Sequence, residues 1–567
     1  MKKNIIITIF SFAIFSFHCS KKLEIAPIGV LSEEQIARAE NIDKAVTATY
    51  STLGNGDINV SFSLYQFGDV LSDDAYKGGR AEDDGADLHN MEIFINTLPT
   101  FFQLSGHWTQ AYIGINRANA AIKVLKSVSE TEFPKKTQRL AEVRFLRGVY
   151  YVAAKLIFRN IPYVDENLQT DDIVKLSNRQ FTNDELWDKI AADFKFAAEN
   201  LPATQTEKGR PTQAAAYGYL AKARLYQAYT QDDKYNVTAV NPTRLQEAVE
   251  ASDKVIASSF RLETDFANNF LPGAFENGSE SLFAIQFSQN DGTLLGRLNF
   301  GDALNVPQGL GCCDFHKPSQ NLVNAFRTDA NGLPLLDNFN DQDVDLIANT
   351  VDPRLDHTVA IPGRGWKYEP QKRIFQTSWS RNPGVYGAYA SLKENVSPDC
   401  GCFFGTGAFF PNSKNKIILR YADVLLVKAE ALVELGRQDE ALPIINQLRT
   451  RASQSTSLLK DLNNNFYAKY NVGTYKPGIN VTWNQATARK AVRFERRLEL
   501  AMESNRFFDL VRWGVAAETL NAYLAKEKTK RSFLKDAAFQ KNKSEYLPIP
   551  QGQINLSSGN YIQNIGF

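Results

Sequence analysis

The sequence predicts a mainly α protein, a scaffold of stacked helix pairs that carries a loop-rich, irregular ligand-binding region. Three observations predict it. Residues 420–452 hold two helices at antiparallel hairpin spacing. Weaker copies of that hairpin recur through the first 260 residues. Between about 260 and 415 the periodicity stops, and Gly, Pro, Asn and Asp become frequent.

In "RYADVLLVKAEALVELGRQDEALPIINQLRTRA", Ala422, Leu425, Leu426, Ala429, Leu432 and Val433 recur at helical spacing. Gly436 ends that helix. Ala441, Ile444, Ile445 and Leu448 mark the second, and the short break makes the two antiparallel neighbours. The pattern A-E-A-L-x-x-L-G-x-x-x-E-A-L resembles a tetratricopeptide hairpin. Upstream, 33–53 pairs with 101–125, 141–158 with 184–201, and 214–229 with 245–258. Such pairs bury their faces only by stacking, so together they form a solenoid-like layer. The stretch 260–415 is too long for a linker, and loops on a rigid scaffold are where binding sits. The expected organisation is a leader over 1–18, an N-terminal helical region over 19–259, and a C-terminal region over 260–567. The last holds the loop-rich insert 260–415 and helical hairpins over 417–514.

The chain starts with a charged Met1-Lys2-Lys3 and an apolar run from Ile5 to Phe17, too short to span a bilayer stably. The run stops at Cys19, which reads as a lipoprotein signal whose cysteine is acylated. Phe17 and His18 stand where small residues are expected, so an ordinary signal with an incidental cysteine is the alternative. No other run of about 18 apolar residues follows. Net charge is +1, which gives no field for nucleic acid.

Without Cys19 four cysteines remain: Cys312, Cys313, Cys400 and Cys402. An even number in an exported chain suggests disulfides. Cys312 and Cys313 are expected to bond with Cys400 and Cys402. A vicinal 312–313 pair, free thiols, and a zinc site with His316 are the alternatives.

Several motifs resemble the SusD/RagB family of outer-membrane lipoproteins. They are "IILRYADVLLVKAEALVELG", "RFERRLELAMESNRFFDLVRWG" (493–514) and the ending "YLPIPQGQINLSSGNYIQNIGF" (546–567). "SDDAYKGG" (72–79), "YIGINRANAAI" (112–122), "KPSQNLVNAF" (317–326) and "DPRL" (352–355) match in order. The resemblance implies binding without chemistry. Cys19 would anchor the protein to the outer membrane at the cell surface. The protein would capture oligosaccharides and hand them to a TonB-dependent, SusC-type transporter. A peptide-binding, RagB-like component is one alternative, and a structural transporter subunit without a ligand is another.

No enzyme is expected. His89, His107, His316 and His357 sit in no H-E-x-x-H motif, and no G-x-S-x-G or P-loop lysine motif occurs. The charged run 493–512 reads as an ion-pair network packing helices. Asp341, Asp343 and Asp345 alternate as calcium ligands can, but the glycine turn of an EF-hand is missing. A solvated acidic loop is the reading, with calcium the alternative and no other cofactor expected.

Aromatic faces stack on the C–H face of a sugar ring, while Asp, Asn and Arg bind its hydroxyls. The loop aromatics Trp366, Tyr368, Trp379, Tyr386 and Tyr389 are therefore the expected glycan contacts, with Asp73, Asp74, Tyr76 and Lys77 beside a glycine pair. Phe315 and Phe403, next to the cysteines, would stiffen a binding rim. Trp108, Trp187 and Trp513 read as core. On this reading Trp366→Ala and Trp379→Ala weaken binding with little effect on stability.

Overall fold

Helix formation follows the apolar spacing of the chain. The structure is a computed structural model describing residues 38–54, 62–292, 297–405 and 409–567. The expected leader and Cys19 lie outside the described residues. Helices α1 (Ala39–Gly54), α2 (Phe102–Ser127), α3 (Lys136–Phe158), α4 (Asn183–Asn200), α5 (Gln213–Ala228) and α6 (Pro242–Ile256) each pack on the next. Helix α6 then packs directly on α7 (Tyr421–Glu434), so the stack skips the intervening loop-rich stretch. Helices α8 (Gln438–Gln454) and α9 (Gln485–Leu500) complete it, followed by α10 (Arg506–Arg512) and α11 (Ala516–Glu527). The protein is thus mainly α, as expected.

Local chemistry sets the boundaries. Thr182 and Glu185 form a capping box at the start of α4. Asn241 caps α6, with Pro242 at its first turn. Gly436 adopts φ +76° just past α7, a conformation that favours glycine. Close approach has its own residue: a Cβ on Gly148 of α3 would lie 2.7 Å from the Phe194 ring of α4. Trp108, Trp187 and Trp513 are buried, as read from the sequence.

The loop-rich stretch is pinned by short strands β1 (Ala75–Gly78), β2 (Ser281–Ile285), β3 (Phe315–Pro318) and β4 (Lys416–Arg420). Strand β2 pairs antiparallel with β4, and β1 with β3 in the register Tyr76↔Lys317. A second core lies between this region and α9, where Leu322, Phe326, Val351 and Leu355 meet Phe494 and Leu498.

The charged run forms the expected ion-pair network. Glu499 accepts from Arg354 at 2.8 Å, from Arg420 at 2.6 Å and from Arg451. Glu495 bridges Arg354 (2.6 Å) and Arg449 (3.0 Å). Arg496 binds Asp423 at 2.6 Å and Asp509 at 2.5 Å. Arg497 donates to Asp74 at 2.7 Å, and Arg506 to Asp73 at 2.8 Å. Glu495, Arg496 and Glu499 are buried, so each charge needs these partners to offset its desolvation.

The cysteine pairing corrects the expected one. Cys312 bonds to Cys313, and Cys400 to Cys402, so each bridge closes within its own loop. A bridge across some 90 residues would stabilise by roughly 4–5 kcal/mol in the chain-entropy model. Bridges between neighbours remove little unfolded-chain entropy and act on local loop shape instead.

Candidate glycan-binding surface

Most of the nominated contacts are buried. Asp73 and Asp74 are held by Arg497 and Arg506. Tyr76 donates its hydroxyl to Glu527 at 2.6 Å. Lys77 donates to the carbonyls of Ala81 (2.9 Å) and Asp84 (2.5 Å). Its ammonium lies 5.3 Å from the Phe315 ring centre and 5.4 Å from that of Tyr386. Lys77, Tyr386 and Phe315 therefore do converge, but beneath the surface. Burial lowers the Lys77 ammonium below its usual range, and the Glu92 and Asp84 charges oppose that shift.

Trp366 is 1% exposed, packs on Phe375, and donates its indole N–H to the Val396 carbonyl. It is core, not a ligand contact. Tyr368 is half-buried, with its hydroxyl 2.8 Å from His357 Nδ1, and half-buried Tyr389 reaches Gln320 Oε1 at 3.4 Å. These placements correct the loop reading. Gly- and Asn-rich sequence looks solvent-facing, but here the loops fold back over their own small core of Ala360, Trp366, Phe375, Ala390 and Leu392.

Trp379 differs. It lies at the edge of that core, partly exposed, and its ring covers the backbone of Gly309. A Cβ at Gly309 would stand 2.3 Å from Trp379 Cγ. Two residues on, a Cβ at Gly311 would stand 2.2 Å from Phe410 Cδ2. Phe410 stacks on Phe403 with centres 5.6 Å apart and planes at 20°. The Gln308–Gly311 turn, exposed at Gln308 and Gly309, is thus clamped between two partly exposed rings. Gln308 Nε2 donates to the Gly311 carbonyl at 3.0 Å and tightens the turn. The Cys312–Cys313 bridge follows at once. Phe403 follows Cys402, and here Phe404 N donates to Pro411 O and Ser413 N to Cys402 O. Half-exposed Arg373, paired with Asp399, and exposed Gln376 and Ser378 provide polar groups on the segments flanking this turn. Rings that are fixed yet partly open, with amide and guanidinium groups nearby, suit an apolar face edged by hydroxyls.

The sequence reading named Trp379 and Phe403 but missed Phe410, Gly309 and Gly311. Glycine next to cysteine or aromatic residues in "QGLGCC" and "CFFGTGAFF" was the available signal.

His316 joins the segments beneath. Its Nδ1 lies 2.8 Å from Glu394 Oε1 and its Nε2 3.0 Å from Asp69 Oδ2. With carboxylates on both nitrogens and the cysteines in disulfides, the zinc alternative does not hold. Burial alone would lower the imidazole pKa, but the Glu394 and Asp69 carboxylates push it up to about 9. The folded pKa lies above the unfolded value, so the stabilisation is complete below about pH 6.5. It is lost as pH rises through about 9. The expected result is a fall in unfolding free energy between those limits, up to about 3 kcal/mol, that His316→Gln flattens. Urea denaturation at stepped pH checks it, and equal slopes in both proteins would refute it.

Asp341, Asp343 and Asp345 do not converge. Asp341 pairs with Lys526, Asp343 with Lys530, and Asp345 caps the backbone of Ile347 and Ala348. Among the described residues, no group of three or more His, Cys, Asp or Glu side chains is placed to hold a metal ion.

Residues 279–567 match the family model described as "SusD family", and residues 89–226 match one described as "Starch-binding associating with outer membrane". The chain is 25% identical over 559 residues to SusD-like protein P2 of Formosa agariphila, covering 96% of both chains. A SusD homolog from Bacteroides thetaiotaomicron has a TM-score of 0.69 at 20% identity, over 94% of this chain and 98% of that one. Surface glycan-binding protein A from the same organism, solved in complex with laminarihexaose, has a TM-score of 0.61 at 22% identity, over 93% and 99%. At these identities the structural likeness speaks for the fold.

Proposed function

We propose, from the premise that this chain belongs to the SusD family, that it is a cell-surface glycan-binding protein. It captures oligosaccharides and delivers them to a TonB-dependent, SusC-type outer-membrane transporter. The observation that carries the capture step is the pair of partly exposed rings, Trp379 and Phe410, seated on Gly309 and Gly311. Ring-stacking on sugar needs flat apolar faces that do not move, and glycine is the residue that lets a ring lie directly on backbone. The laminarihexaose complex of a structural neighbour supports a glycan as ligand. Acylation of Cys19 supplies the anchor in this reading, and the mass of the mature N-terminal peptide reads it.

Glycan arrays followed by calorimetry test the capture step. Trp379→Ala and Phe410→Ala are each expected to weaken binding by about 30-fold, the scale of a hot-spot contact worth about 2 kcal/mol. Gly309→Ala keeps every ring but pushes Trp379 off its seat, and should weaken binding as well. Binding to peptides and to no glycan would favour a peptide-import role. The burial of Trp366 and Tyr386 favours a second reading, a structural transporter subunit without its own ligand. Absence of binding to every glycan and peptide would establish that one.

A further inference from the structure

The end of α3 and the start of α4 border a cleft of about 470 Å³, with a narrow inner extension reaching α10. It is built from different elements than the Trp379 surface. Three basic side chains are of interest: Arg179, on the approach to α4, lines the cleft, Lys155, in the last turn of α3, lines the inner extension, and Arg159, just past α3, lines both. A fourth, Arg512 in the extension, is paired with Glu430 and Asp509. Lys155 and Arg159 are 2% and 3% exposed. Elsewhere in this chain buried arginines meet carboxylates, as Arg147 meets Asp193 and Arg354 meets Asp352. Here, among the described residues, no carboxylate oxygen lies within 4 Å of any of the three cationic groups.

Neutral groups take the place of a counter-ion. Lys155 Nζ donates to Asn183 Oδ1 at 2.7 Å and lies 5.2 Å from the Trp187 ring centre. Arg159 donates one N–H to the Asp232 carbonyl at 2.8 Å and lies over the Tyr235 ring at 5.0 Å. Its buried Nε has no hydrogen-bond partner among the described residues. Among the described residues, the Arg179 side chain hydrogen-bonds only to the Gln563 carbonyl, at 3.4 Å. Arg159 holds φ +56°, a conformation costing a non-glycine residue about 1–3 kcal/mol. The first residues of α4 line the same cleft, so the positive end of that 18-residue helix faces it too. Of the acidic groups nearby, Asp184 stands on the cleft wall and accepts there from Gln227, and Asp232 accepts from Asn236. Asp233 sits exposed at the rim.

Buried cations without a counter-ion are costly, and an entering anion removes that cost. We propose that this cleft is an oxoanion-binding site, taking a carboxylate or sulfate group either as a free ion or as a substituent on a sugar. The volume is that of a small-molecule pocket, wide enough for a monosaccharide around the charged group. Burial, with Arg159 beside it, holds the Lys155 ammonium well below its usual pKa, and Asp184 opposes this. Arg512, paired with Glu430 and Asp509, and Tyr226, Tyr229 and Tyr546, whose hydroxyls donate to Asp509, Glu430 and Gln231, also line the inner end. An anion placed there favours protonated Lys155.

Calorimetric titration of the purified protein with sodium sulfate, sodium glucuronate and neutral glucose tests this. The expected result is saturable binding of an anion, and no binding of glucose at this cleft. Arg159→Gln should weaken it at least tenfold. Arg179→Gln, at a partly exposed position with one weak hydrogen bond, should weaken it with the fold intact. Trp379→Ala should leave it unchanged, which separates this site from the proposed glycan surface. Binding of both anions supports a general oxoanion site; glucuronate alone supports a sugar-borne carboxylate, and sulfate alone a sulfate site. Absence of saturable binding of either anion at 50 mM or so, or binding unchanged in both cleft variants, overturns the proposal.

Discussion

Replacing Glu499 with alanine is expected to destabilise the protein by about 5 kcal/mol, the upper end for breaking a buried ion pair. Glu499 is fully buried and accepts from Arg354, Arg420 and Arg451. These arginines come from the loop-rich region, from β4 and from α8, so one carboxylate joins three parts of the chain. Its removal leaves guanidinium groups buried with their charge only partly offset by Glu280, Glu495, Glu503 and Asp352. Burial alone would raise the Glu499 pKa, but the charges of Arg451, Arg420 and Arg354 hold it well below the usual carboxylate range. For a depressed pKa the stabilisation is present above the unfolded value, about 4.3, and is lost only as pH falls through the lower folded value. The penalty in Glu499→Ala should therefore be constant from pH 5 to 8. Urea denaturation decides it, and a loss below 1 kcal/mol would show that the network is dispensable.

The second large effect is at Trp366. Trp366→Ala is expected to destabilise by about 3–5 kcal/mol, the range for opening a cavity where a buried aromatic stood. The indole fills a core with Phe375 and Leu392, and its N–H bond to Val396 is lost as well. Trp379, whose ring packs 5.9 Å from that of Trp366 but is partly exposed, should cost far less when truncated. Parallel denaturation of the two variants reads the contrast. Equal stability losses would mean that the boundary between core and surface runs elsewhere in this loop cluster.

That contrast marks how far the sequence could be read. The helices were legible because burial repeats at helical spacing, and Ala422, Leu425, Leu426 and Ala429 are all buried in α7. Gly436 and Thr182 punctuate helices by rules that act within a few residues. The ion network was legible as a kind, since nine charges within 20 residues, interleaved with apolar positions across α9 and α10, need partners. The partners themselves were not, because Arg354 and Asp73 are brought in by tertiary structure. Loop burial had no periodic signal. Trp366 and Trp379 sit in similar glycine- and serine-rich surroundings, and only the fold places one inside and the other at the rim. The cysteines were legible as disulfides, but pairing depends on loop shape, so the cross-loop expectation failed at Cys312 and Cys400. Phe410 was missed because its role exists only through the bare backbone of Gly311, more than 90 residues away.

The Asp74–Arg497 pair has a temporal consequence. The two residues are 423 positions apart, and Arg497 also reaches Asn321 and the Asp73 carbonyl. Chains emerge during synthesis at about 5–20 residues per second, so Asp74 waits on the order of 20–80 s before its guanidinium exists. Throughout that interval the segment 72–79 has a carboxylate pair that it cannot bury. The early helices α1–α4 have most of their own contacts and can collapse at once, but the β1 segment must stay open until the last quarter of the polypeptide arrives. Closure is thus a terminal event, and a nascent chain cut anywhere before α9 is left with an unsealed amino-terminal half.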